Sequence, residues 1–187
     1  MTMMLTFHAA LRRDLDRIAQ MTARSEGWDR FERFLRMHHE VEDESLWPVL
    51  RGAVADEQDL ALLDDMQAEH DELGPLLEAL DAALDRGDAA PRARADLDAS
   101  VRHHLQHEED DCLPLIDRSL DLDQWTQFGQ AAIAKFGADM PTLWPWLLAD
   151  VDPARAEKVL TLLPDPARES YRNEWQPAYA AKEWWTA

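Results

Sequence analysis

Cysteine is almost missing from this chain. Cys112 stands alone among 187 residues, so no internal disulfide can form, and a reducing compartment, the cytoplasm, is the expected location. No run of about 18 apolar residues occurs, which excludes a spanning helix. The opening stretch "MTMMLTFHAALRR" lacks a basic start, an apolar core and a small-residue cleavage site in that order, so no secretion signal is read. Positive charge is also scarce: 19 Lys and Arg face 38 Asp and Glu, for a formal net charge of −19. Nucleic acid and anionic membrane surfaces are excluded as partners, because phosphate binding needs clustered Lys and Arg. Glycine is thin, with six in the whole chain.

Between those few breaks the chain carries helical periodicity and almost no two-residue alternation. The spacing predicts helices over about 3–24, 28–52 and 57–86. A fourth begins after "DAAPRA", with Pro91 in its first turn, and ends near 118. Four helices joined by short loops predict an all-α fold, an up-down-up-down four-helix bundle over residues 1–118. Residues 119–187 differ. They hold six of the ten prolines and six of the eight tryptophans. Shorter helices are expected at about 122–137, 153–163 and 166–184. Prolines stop this segment from continuing the bundle, so a Trp-rich helical extension packed on it, within one compact domain, is predicted.

Two stretches say nearly the same thing. "MHHEVEDESLWPVL" and "RHHLQHEEDDCLPLI" align on Pro48 and Pro114, with a His ten residues before each proline and a Glu six before it. These are His38 and Glu42, then His104 and Glu108. Steps of three and four place them on the apolar stripes: Phe31, Leu35, His38, Glu42, Leu46 in one helix and Leu97, Val101, His104, Glu108, Cys112 in the other. The first helix adds His8 to Leu5, Leu11, Leu15 and Ile18. The third adds His70 to Leu63, Met66, Leu73 and Leu77. Counted from the turns near 26, 54 and 89, the six polar residues each lie about 15–19 residues away. At roughly 1.5 Å per residue they fall within about one helical turn of a common height. A buried unpaired carboxylate costs several kcal/mol, so two of them among imidazoles call for cations. Imidazole with carboxylate suits iron or manganese in pairs.

One turn after His70 stands Gly74, with no side chain to offer, followed by Pro75. A kink and an open coordination position are expected there. His39, His103 and His107 are further candidate ligands; His103 and His107 sit about 100° round from His104.

His8, "HHEVED" with "LWP", "EHDEL" around His70, and "HLQHEED" with "LP" together resemble the hemerythrin-like, HHE cation-binding family over about residues 1–118. The resemblance implies a four-helix bundle with a non-haem di-iron centre. Its ligands would be His8, His38, Glu42, His70, His104 and Glu108, and its bridges the two glutamates with an oxo or hydroxo group. Oxygen carriers of the family have a further His where this chain has Gly74, and in some relatives the residue after the second-helix His also ligates, which raises His39. The implied ligand is a small oxidant, O₂, H₂O₂ or NO, met in oxidative or nitrosative stress defence, by peroxidase-type or NO-removing chemistry, or in sensing. A metal- or redox-dependent regulatory module and a reversible oxygen-binding protein are the alternatives. A protein partner or a second copy could dock on the aromatic tail.

Overall fold

The computed structural model describes residues 2–185. Helix α1 spans Thr2–Ile18, α2 Glu26–Val41 and α3 Trp47–Ala53; α4 runs Glu57–Asp85, α5 Pro91–His107 and α6 Leu113–Ser119. The pair α2 and α3 is one rod, as is the pair α5 and α6. In each, the join is a five-residue π turn, Glu42–Leu46 and Glu108–Cys112. The four rods, α1, α2/α3, α4 and α5/α6, make the expected up-down-up-down bundle. Among the described residues no helix is long and apolar enough to cross a membrane.

The π turns follow from proline. Proline has no N–H, and its ring clashes with the carbonyl four residues back. Pro48 and Pro114 each lie six residues past the start of a π turn. There the Trp47 N–H reaches five residues back to the Glu42 carbonyl, and the Leu113 N–H reaches the Glu108 carbonyl. The same arrangement recurs at Tyr171–Trp175, six residues before Pro177. Pro75 has no such turn, and α4 stays one α-helix through it.

Helix α1 ends at Ile18, six residues short of the expected 24. The Arg94 guanidinium from α5 takes the carbonyls of Ile18 and Met21, which stops the helix there. Leu5, read as a core position, is 40% exposed, and Met4 and Phe7 face inward instead.

Beyond the bundle come α7 (Leu122–Phe136), α8 (Met140–Leu148), α9 (Pro153–Leu160), α10 (Asp165–Ser170) and α11 (Gln176–Ala180). Helix α8 was not expected, because Pro141 and Pro145 read as breakers. Pro141 sits in its first turn, where an N–H is not needed. Leu143–Leu148 are buried, and Arg13 on α1 donates to the Trp146 and Ala149 carbonyls at its end, at 2.7 and 2.6 Å. One apolar cluster runs from Leu11 and Phe31 of the bundle to Trp144, Trp146 and Leu163 of the extension. Trp144 and Trp146 are therefore buried, while Trp125, Trp175, Trp184 and Trp185 are only half-buried.

The extension is anchored by a polar knot. Asp14, fully buried, accepts from Arg30 at 2.7 Å and from the Trp146 indole at 2.8 Å. Arg30 also donates to the Tyr179 hydroxyl at 2.9 Å and lies over the Trp184 ring. Nearby, the Gly27 N–H donates to the Trp184 carbonyl at 2.7 Å. A Cβ on Gly27 would stand 2.5 Å from the Trp185 ring. Gly27→Ala is expected to lift this end off and destabilise the chain by about 1–3 kcal/mol, as overpacking does. In a chain ending at Glu183 the same change should be neutral or stabilising, because Ala is the better helix former. Thermal melts of both pairs check the change of sign.

Candidate metal centre

Each rod of the bundle inserts polar residues between two apolar clusters. On α1, His8 lies between Met4 and Leu11; on α4, His70 lies between Met66 and Leu73. Along α2/α3, His38 and Glu42 separate Leu35 from Leu46, and along α5/α6, His104 and Glu108 separate Val101 from Cys112. All six predicted residues are brought into this one layer, and all are buried. His39 joins them: it is buried and stacked on His70, with ring centroids 4.0 Å apart. His103 and His107 do not join. His103 is 73% exposed, and both rings face Glu69 on the outer surface. Their place 100° round the helix from His104 carries them away from the core.

Three nearly complete ligand sets share this layer. The donor atoms of His39, His70 and His104 lie within 4.8 Å of one another, as do those of His8, His38 and Glu108, and those of His38, His39 and Glu42. Gly74 leaves open space where a side chain would start. His39, supplied by α2, brings the third imidazole to His70 and His104 from another direction.

Outer carboxylates orient the rings. His8 Nδ1 is 2.9 Å from Glu109, His70 Nδ1 is 2.7 Å from Asp43, and His104 Nδ1 is 2.9 Å from Glu69. Burial opposes ionisation of Glu69, but its bonds to His104 and His107 hold its pKa down. For Glu109 burial is likewise overcome, by His8 and Arg12, and its pKa falls to about 2. Ionised carboxylates accept the Nδ1–H and turn the Nε2 lone pairs inward, the arrangement found around metal-bound histidines. Sequence reasoning missed these three. Their signal is adjacency: Asp43 and Glu109 follow the two core glutamates, and Glu69 precedes His70.

The inward atoms lack partners. His70 Nε2 and His104 Nε2 face each other at 3.2 Å, so with both Nδ1 atoms protonated, two lone pairs meet. His8 Nε2, His38 Nε2, His39 Nε2 and all four oxygens of Glu42 and Glu108 are buried without hydrogen bonds. His8 Nε2 does lie 3.0 Å from Glu108, close enough for charge but out of hydrogen-bond alignment. Native structures leave few such atoms unsatisfied, and each demands an explanation. Convergent lone pairs and carboxylates fit metal cations.

Electrostatics point the same way. Burial, then the other imidazoles, pushes the pKa of His38 and His39 well below the ordinary value. Burial, then Glu108 and Asp43, raises Glu42 well above the carboxylate range. For His8, burial is outweighed by Glu108 and Glu109, and the pKa rises to about 9. For Glu108, burial is outweighed chiefly by His8, and its pKa is lowered. Without a cation, the surroundings thus favour the protonated forms of His8 and Glu42. Cys112, one turn past Glu108, is kept a thiol by burial and the nearby carboxylates.

An all-helical bundle with a buried, metal-fitting His and Glu layer defines a cation-binding four-helix protein. The sequence model of the Hemerythrin HHE cation binding domain matches residues 1–116, and the chain belongs to that family. No curated protein and no solved structure matches it significantly.

Proposed function

We propose that the buried layer holds two non-haem iron ions and that the pair meets a small oxidant, O₂, H₂O₂ or NO, in stress defence or sensing. Five imidazoles, each with a buried or inward Nε2, and two carboxylates with four unpartnered oxygens carry this reading. His39, His70 and His104 would hold one ion and His8 and His38 the other, with Glu42 and Glu108 between them. When bound, such a pair supplies a shared two-electron change and a place for a diatomic or peroxidic molecule. Iron suits the mix of imidazole and carboxylate.

The protein's own residues supply the surroundings. Asp43, Glu69 and Glu109 hold the ring orientations and the Nδ1 protons. Phe7 stacks on His38 with centroids 4.6 Å apart and shields it from water. A cavity of about 470 Å³ reaches His38, with Phe7 and Met4 on the bundle side and Phe128, Ala132, Phe136 and Trp144 on the extension side. Its walls are mostly apolar, which suits an uncharged gas better than a charged substrate. The extension thus builds half of the approach to the centre.

The test is nitric oxide binding to the reduced, iron-loaded protein, followed in the visible spectrum. Wild-type chain is expected to carry about two irons and bind NO. Ala132→Phe narrows the cavity and should slow binding with iron content unchanged. An iron-free wild type overturns the centre, and an unchanged rate in Ala132→Phe overturns the approach route.

A further inference from the structure

The two histidines that stay outside the buried layer still form a cluster. His103 and His107 lie four residues apart on α5, so they share one face. Glu69 on α4 faces them both: its Oε1 is 2.8 Å from His107 Nδ1 and 3.5 Å from His103 Nε2. The three donor atoms lie within 4.8 Å of one another. We infer that Glu69, His103 and His107 form a second, solvent-reachable site for a divalent transition-metal cation, separate from the buried centre.

The geometry supports this directly. Zinc-type ions take His and carboxylate donors at about 2.0–2.2 Å, which puts neighbouring donors of a tetrahedron about 3.3 Å apart. The Glu69–His103 separation of 3.5 Å is close to that edge, and the Glu69–His107 hydrogen bond of 2.8 Å reaches it by an opening of about 0.5 Å when a cation takes the place of the proton. Glu69 does not swing freely, because its second oxygen sits 2.9 Å from His104 Nδ1 in the core wall. One ligand is therefore already in place before a cation arrives. His103 is 73% exposed and His107 23%, so both can be reached from solvent. Asp111 lies 3.7 Å from His107 Nε2, on the far side of that ring. Two imidazoles and one carboxylate select Zn²⁺, Co²⁺, Ni²⁺ or Cu²⁺ over Mg²⁺ and Ca²⁺, which prefer all-oxygen shells. Three protein donors leave a position for water. The net charge of −19 raises the local cation concentration around the whole surface.

The experiment counts ions by equilibrium dialysis against micromolar Co²⁺, with and without millimolar Mg²⁺. The wild-type chain is compared with the His103→Ala/His107→Ala double variant, both carrying whatever metal the buried centre retains. Both substitutions are on the outer face, and matching thermal melts confirm an intact bundle. The double variant is expected to hold one Co²⁺ fewer per chain. Its iron content should equal the wild type's, and Mg²⁺ should not displace the ion. Equal Co²⁺ counts in wild type and double variant overturn the site. Displacement by Mg²⁺ overturns it as well, since that is the behaviour of a general acidic surface. Because the readout is a difference between two chains, it does not depend on which metal fills the buried layer.

Discussion

Glu42→Leu is expected to stabilise the metal-free protein and to destabilise the metal-loaded one. Both Glu42 oxygens are buried without partners. An apolar side chain removes that burden, and the metal-free chain should gain about 1–3 kcal/mol. If Glu42 is a ligand as proposed, the loaded chain loses it and with it free energy that binding adds to folding. Two melts per protein, with chelator and with iron, read the crossing. A fall in both would show that Glu42 serves packing alone. Proton counting adds a second readout. Against the pull of burial, the carboxylates Glu108 and Glu109 raise the pKa of His8 to about 9, and burial raises that of Glu42, so in the absence of a cation the protonated form of each is favoured. A group raised on folding stabilises the folded state most at pH below its unfolded pKa, and that contribution disappears as pH rises through the folded value. Metal uptake is therefore expected to release protons, and fewer from Glu42→Leu than from wild type, which a pH-stat titration reads. Apparent affinity should rise with pH up to about 9, where His8 no longer holds its proton.

The second large effect lies away from the centre. Asp14→Ala leaves the Arg30 guanidinium, 5% exposed, without its anion and the Trp146 indole without its acceptor. Breaking a buried pair from one side costs about 3–5 kcal/mol. For a chain of this size each kcal/mol is worth roughly 2–4 °C, so a fall of about 6–20 °C in melting temperature is expected. The extension should also become the first site of proteolysis. Asp14→Ala/Arg30→Met removes both charges and should recover part of the loss. A double variant as unstable as Asp14→Ala alone would argue that the pair is not what secures the extension.

The bundle and its polar layer were legible because both rest on periodicity. Histidines at the helix step among Leu, Val and Phe can be counted to one height without any structure. Asp14 and Arg30 were legible too, but unread: Asp14 falls in the series Leu11, Leu15, Ile18, and Arg30 in Phe31, Phe34, Leu35. A charge inside an apolar stripe was the signal. His39 was harder. Adjacent residues on an ideal helix point about 100° apart, so a stripe that admits His38 does not admit its neighbour. Burial of both needs ligands arriving from two sides, which spacing along one helix does not encode. The π turns were hidden for a related reason, since a one-residue widening leaves the composition of a helix unchanged and only the following proline marks it. Helix α8 was hidden by its two prolines: Pro141 is tolerated in the first turn, but Pro145 lies inside the helix, where only the burial of Leu143–Leu148 against the bundle, invisible in the sequence, favours it.

The repeated motif does more than supply two glutamates. On one side Glu108 and Glu109 face His8; on the other Glu42 and Asp43 face His70. The layer is therefore two similar half-sites, and the positions where they differ are informative. His39 corresponds to Leu105, and Glu69, before His70, corresponds to Phe7, before His8. Phe7 stacks on His38, whereas Glu69 holds His104. Both halves reach charged groups, through Glu109 and Arg12 at His8 and through Glu69 and His107 at His104, but only the half with His38 opens toward the apolar cavity. The repeated plan thus has two unlike faces: an aromatic ring lies against an imidazole on one, and a carboxylate bonds to an imidazole on the other.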